Sequence, residues 1–145
     1  VLGQTNNKAA MKLFQDRYDG LTRATLSKDI PKVASYLAND YSAGDSTHPM
    51  DKQKALDGLK HSNGRFKTTS RKVIAVIVNG KKASTITELI ATGHLEDKTG
   101  NHIFVIRVRS MDTWIRNSVW QIKNSRVLQK SMTKDGKMVK MPVGQ

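Results

Sequence analysis

Hydrophobic spacing changes abruptly at Ser62-Asn63-Gly64, and that change leaves the chain few architectures. Before it, apolar residues recur at helical intervals: Met11, Phe14, Tyr18, Leu21 and Leu26 make one stripe between Lys8 and Leu26. Gly20 weakens that helix by about 1 kcal/mol relative to alanine without breaking it. Asp29 is placed to cap a second, short helix, with Pro31 in its first turn and Ile30, Val33, Ala34 and Leu37 on its buried face. Asn39-Asp40 ends it. Tyr41 to Pro49 reads as an extended piece and a turn. Asp51 can then cap a third helix, Lys52 to His61, with Ala55, Leu56 and Leu59 facing inward.

After Gly64 the pattern is that of strands. Phe66–Val78 is β-branched and runs into Asn79-Gly80, a hairpin turn. Lys81–Leu95, His102–Ile115 and Val119–Leu128 follow, separated by Glu96–Gly100 and Arg116-Asn117-Ser118. Lys134-Asp135-Gly136-Lys137 is placed to turn a small terminal hairpin. Helices first and antiparallel strands afterwards define an α+β order. Long strands in a short chain coil and leave a concave face, and the N-terminal helices are the apolar elements able to cover it. The expected shape is a cone with a pocket inside, the usual place for a ligand. At 145 residues the chain fits one domain, residues 1–145, closing in a short basic tail or hairpin over 130–145.

Composition removes several chemistries. The chain has no cysteine, so it has no disulfide framework, thiolate metal site or cysteine nucleophile. The histidines His48, His61, His94 and His102 lack metal-ligand spacing, and no metal or other cofactor is expected. His94 and His102 flank one hairpin and are candidates to approach each other. There is no Gly-rich phosphate loop and no Gly-x-Ser-x-Gly elbow. No apolar run approaches the roughly 20 residues that span a bilayer. The opening VLGQTNNK carries no initiator Met and no leader pattern, which favours a secreted or periplasmic mature chain over a cytoplasmic one as an expectation. The formal net charge of +13 suits anionic polymers, nucleic acid among them, or anionic lipid. Its cations are dense over Lys52–Lys82 and again from Lys123 to Lys140, as singles and pairs that also suit a solvated surface.

Two stretches, LSKDIPKVASYLANDYSAGDS and ASTITELIATGHLEDKTGNHIFVIRVRSMDTWIRNSVWQI, resemble ketosteroid isomerase-like and SnoaL-like proteins of the nuclear transport factor two-like (cystatin-like) superfamily. The subgroup they look most like is the domain-of-unknown-function branch related to the kinase association domain. The resemblance runs from about Ala9 to Arg126. It implies a cone-shaped curved antiparallel sheet covered by about three N-terminal helices, and a homodimer. Carried over position by position, it places the family's general base on Asp45. The oxyanion-binding tyrosine falls on Leu21 and the second acid near Met111, neither of which can act, although Asp112 is adjacent. That particular isomerase chemistry is therefore not expected.

The remaining candidates come from the residues themselves. Asp45 is either a turn cap or a pocket acid. Glu88 lies between Ile86 and Ile90 on one face of its strand, where a carboxylate must face water or pair; Arg107 and Arg109 are possible partners. Trp114 and Trp120 suit core packing or a pocket wall. Tyr18, Tyr36 and Tyr41 divide between core and pocket, with core preferred for Tyr36. The ligand-binding set is thus Tyr18, Tyr41, Asp45, Glu88, Arg107 and Trp114, with Asp45 and Glu88 the candidate acids. Three functions follow: a small-molecule-binding domain with no assignable reaction, an isomerase, cyclase or dehydratase using a pocket carboxylate, and a basic module for an anionic polymer.

Overall fold

The computed structural model describes residues 4–5, 7–44, 47–62 and 66–140. The first helix, α1 (Lys8–Leu26), starts where Asn7 accepts hydrogen bonds from the backbone N–H groups of Ala9 and Ala10 at 2.9 and 3.2 Å. This satisfies two of the donors that a helix start leaves unpaired. It stops at Ser27, and Asp29 N–H then reaches back to the Ala24 carbonyl at 2.9 Å. Asp29 next caps α2 (Ile30–Ser35), accepting from Lys32 N–H, and Asp51 caps α3 (Lys52–Lys60) in the same way through Lys54 N–H.

The second helix is shorter than its apolar spacing predicts. Leu37, expected on its buried face, begins a strand instead. The backbone that would have continued the helix is taken by the sheet, where Ile122 N–H donates to the Tyr36 carbonyl at 2.8 Å and Leu37 registers with Ile122.

Among the described residues, eight strands form one sheet: β1 (Gln4–Thr5), β2 (Leu37–Gly44), β3 (Pro49–Asp51), β4 (Phe66–Asn79), β5 (Lys82–Asp97), β6 (Gly100–Asn117), β7 (Val119–Lys134) and β8 (Lys137–Val139). Their order is β1-β4-β5-β6-β7-β2-β3, with β8 also on β7, and every pairing is antiparallel except β2 with β7. The two-residue turn Gly80-Lys81 carries positive φ at Gly80, and both turn residues Asp135 and Gly136 have positive φ. These turns match the twist of the strands they join. Extra residues in β4, between Thr68 and Ser70 and between Val73 and Ala75, and in β7, at Lys123 and Leu128 opposite Thr113/Trp114 and Arg109/Ser110 of β6, bend the sheet.

The bend gives the sheet an inner face, and the helices fill it. Phe14 and Tyr18 of α1 pack against Trp114, with ring centroids 5.1 and 5.2 Å apart in edge-to-face arrangements. Trp120, Ile122, Val73, Val76 and Leu37 complete this core. Gln15 ties α1 to β4. Its amide donates to the Arg71 carbonyl at 2.7 Å and accepts from Val73 N–H at 2.8 Å, replacing a strand partner beside the bulge. Gly20 has a packing reason as well. A Cβ there would lie 2.1 Å from the Tyr36 hydroxyl, and the Tyr36 ring is held between the helix and the Arg17 guanidinium, which stacks on it at 4.1 Å.

Candidate ligand site on the inner face of the sheet

Because side chains alternate along a strand, Asp112 points inward while its neighbour Met111 points outward. The same parity brings Thr85 of β5, in register with Asp112, onto the inner face, and Ser125 of β7 stands opposite. Tyr18 descends onto them from α1. These groups form a directed chain. The Trp114 indole N–H donates to the Thr85 hydroxyl oxygen at 2.9 Å, and the hydroxyls of Thr85 and Tyr18 lie 2.7 Å apart. Tyr18 donates its single proton to the Asp112 carboxylate, which fixes Thr85 as the donor to Tyr18. Each of these groups is buried. Burial, reinforced by the Asp112 charge and hydrogen bond, pushes the Tyr18 hydroxyl pKa far up, so Tyr18 stays protonated and donating.

Polar side chains continue from this chain toward partly exposed positions. Thr87 and Ser110, in register one step further along, have hydroxyl oxygens 3.5 Å apart. Tyr41 of β2 is partly buried and hydrogen-bonded to the Ser125 side chain, and burial raises its hydroxyl pKa too. The Arg71 guanidinium lies 5.3 Å from the Tyr18 ring centroid, and its charge offsets a small part of the rise at both tyrosines. Among the described residues, this part of the inner face offers the buried acid Asp112, the protonated Tyr18 and Tyr41, and the Arg71 cation.

The sequence-predicted residues separate across the sheet. Tyr18, Tyr41 and Trp114 meet on the inner face, with Trp114 wholly buried as a core wall. Glu88 and Arg107 lie on the outer face, where Glu88 registers with Arg109 and accepts from its guanidinium at 3.2 Å. Asp45 lies outside the described residues. His94 and His102 point to opposite faces, since His94 registers with Ile103 and His102 with Leu95. Among the described residues, no three His, Asp or Glu side chains group as metal ligands.

Of the inner-face pair, Tyr18 belongs to the ligand-binding set expected from the sequence, and Asp112 stands beside the expected position of the second acid. Tyr18 is one helical turn before Leu21, so it occupies the same face of α1, and Asp112 is one strand residue after Met111 and so faces the other way. Alternation of Thr85, Thr87, Ser110 and Asp112 with apolar residues was the available signal.

His102 forms a separate cluster where two turns meet. Its Nδ1 lies 2.6 Å from Asp135 Oδ2, and its Nε2 lies 2.6 Å from Thr99 Oγ1 and 3.1 Å from Asp97 Oδ1. Thr99 donates its own proton to Asp97 at 2.6 Å, so both ring nitrogens face acceptors. Only the imidazolium satisfies them all. Its pKa is raised, first by the Asp135 hydrogen bond, Asp97 is held down at about 2 by Thr99, and Asp135 is lowered by Ile103 N–H. A cationic ring is not a base, so this cluster is a clamp between the β5–β6 and β7–β8 turns.

No family model matches the chain, and no curated protein sequence matches it. Solved structures do. A nuclear transport factor two-like protein from Cytophaga hutchinsonii is similar over 83% of this chain and 97% of its own, with 14% identity and a TM-score of 0.59. A hexachlorocyclohexane dehydrochlorinase of type 2 is similar over 94% and 96%, with 17% identity and a TM-score of 0.63. The CaMKII hub from S. rosetta is similar over 81% and 94%, with 12% identity and a TM-score of 0.62. The chain has the nuclear transport factor two-like, cystatin-like fold: a curved, mostly antiparallel sheet with N-terminal helices. This fold is shared by enzymes and by proteins without known function, so chemistry has to be argued from the site.

Proposed function

We propose that the chain is a small-molecule-binding domain whose ligand lies on the inner face of the sheet, beside Tyr18, Tyr41, Arg71 and Asp112. One observation supports this above the others: the chain from Trp114 through Thr85 and Tyr18 to Asp112. A core built for stability alone gains little from a buried carboxyl, because burying a charge costs more than a well-packed apolar side chain. The ligand class this suits has an apolar body, to lie against the aliphatic inner face beside Tyr41, and one polar group for Tyr41 or Arg71. An enzyme using a pocket carboxylate is the second reading, with Asp112 in the place first given to Asp45 or Glu88. The structurally similar dehydrochlorinase favours it as an analogy of fold.

The test is binding of 1-anilinonaphthalene-8-sulfonate, followed by its own fluorescence and by quenching of the tryptophan emission. Wild-type protein is expected to bind the dye, and Tyr41→Phe with Arg71→Gln to weaken binding several-fold while leaving the fold unchanged by circular dichroism. Binding that ignores both substitutions removes the inner face as the site. We also propose that the chain pairs with a second copy, supported by the resemblance and by the exposed Ile74 and Ile77 on β4. Light scattering coupled to gel filtration should give twice 16.2 kDa, and a monomer mass at high micromolar concentration rejects the dimer.

A further inference from the structure

The outer face of the sheet carries its own arrangement of donors, independent of the inner site. Cross-strand register places Lys72, Glu88, Arg109 and Gln129 in one row and Ser70, Ile90, Arg107 and Ser131 in the next. A shallow cleft of about 150 Å³ lies between the rows, lined by Glu88, Arg107, Val108, Arg109, Gln129 and Ser131. Glu88 takes one N–H of Arg109, at 3.2 Å, and both side chains remain partly open to water. Arg107 makes no hydrogen bond and no ion pair among the described residues. The cleft thus gathers two guanidiniums, a carboxamide and a hydroxyl against a single carboxylate. A second copy docked here about a two-fold axis would meet the same arginines, so the charge favours an anion over the chain's own surface.

We propose that this cleft binds a phosphate group, with Arg107, the remaining N–H groups of Arg109, Gln129 and Ser131 donating to its oxygens and Glu88 holding Arg109 in place. Phosphate fits better than carboxylate because the donors come from two strands and several directions. A carboxylate offers two oxygens, whereas a phosphate group offers three or four and matches the guanidinium fork. The group comes either from free phosphate or from the phosphodiester backbone of a nucleic acid. The face is well suited to backbone contact without base reading, since its central rows carry no aromatic side chain.

Two probes distinguish the sources: inorganic phosphate by isothermal titration at constant ionic strength, and a 20-nucleotide oligothymidylate by fluorescence anisotropy. Arg107→Gln lies on the surface and should leave thermal unfolding unchanged, while weakening a bound probe about tenfold or more. Loss of phosphate binding alone assigns free phosphate. Loss of oligothymidylate binding, with phosphate competing in the wild type, assigns the phosphodiester. The proposal is overturned if neither probe binds beyond a chloride-matched control, or if Arg107→Gln binds both as the wild type does.

Discussion

Replacing Tyr18 by Phe deletes one oxygen and leaves the ring to pack on Trp114 as before. What it takes away is the donor to Asp112, a carboxyl that is 2% exposed, and the acceptor of the Thr85 hydroxyl, which is 0% exposed. A hydrogen bond to a charged group contributes about 1.5–3 kcal/mol, and leaving its buried partner unsatisfied falls at the upper end. We expect a loss of about 2–3 kcal/mol. With a urea slope near 2 kcal/mol per molar, the unfolding midpoint should drop by about 1 M. The companion variant Tyr18→Phe/Asp112→Leu removes both members of the pair and leaves no carboxyl to desolvate. It should be more stable than the two single variants sum to, by about 1 kcal/mol or more. Urea unfolding followed by tryptophan fluorescence measures all four proteins. If Tyr18→Phe stays within about 0.5 kcal/mol of wild type, or if the double variant is strictly additive, the directed chain is not what holds the inner face together.

Gly20→Ala should destabilise by about 1–3 kcal/mol in spite of alanine's better helix propensity, because the new methyl meets the Tyr36 hydroxyl. Thermal unfolding checks this, and adding Tyr36→Phe should recover part of the loss. The His102 clamp gives a pH dependence whose sign follows from its shifts. The raised His102 pKa contributes stability that is complete below the unfolded histidine value and is lost as pH rises through the folded one. The lowered Asp97 and Asp135 contribute above the usual carboxylate range and lose it as pH falls, down to about 2 for Asp97. The clamp is therefore strongest between those limits. NMR titration should place His102 above an ordinary histidine, and His102→Gln should flatten the stability difference between mildly acidic and mildly alkaline buffer. A His102 that titrates at or below the ordinary value refutes the imidazolium.

Much of the fold follows from local sequence. The stripe from Met11 to Leu26, the caps Asp29 and Asp51, and the turns at Gly80 and Asp135-Gly136 act within a few residues of themselves, so spacing and side-chain chemistry suffice to place α1, α3 and the hairpins; β7, expected to end at Leu128, runs on to Lys134 through its pairing with β6. The end of α2 did not follow, because Leu37 is claimed by Ile122, 85 residues away in the chain, and no helical preference competes with a sheet pairing that satisfies backbone groups.

The site shows the same division. That Glu88 needed a partner could be read from Ile86 and Ile90; that the partner is Arg109, and that both face away from Tyr18, depended on a register shared by three strands. Asp112 differs from Met111 by one residue in sequence and by a whole face of the sheet in space. The sequence by itself determined that helices come first and hairpin-linked strands afterwards, because those preferences are set by neighbours. Only the tertiary structure decided which polar side chains share the inner face, because strand parity and the bulges that shift it are properties of pairing between distant segments.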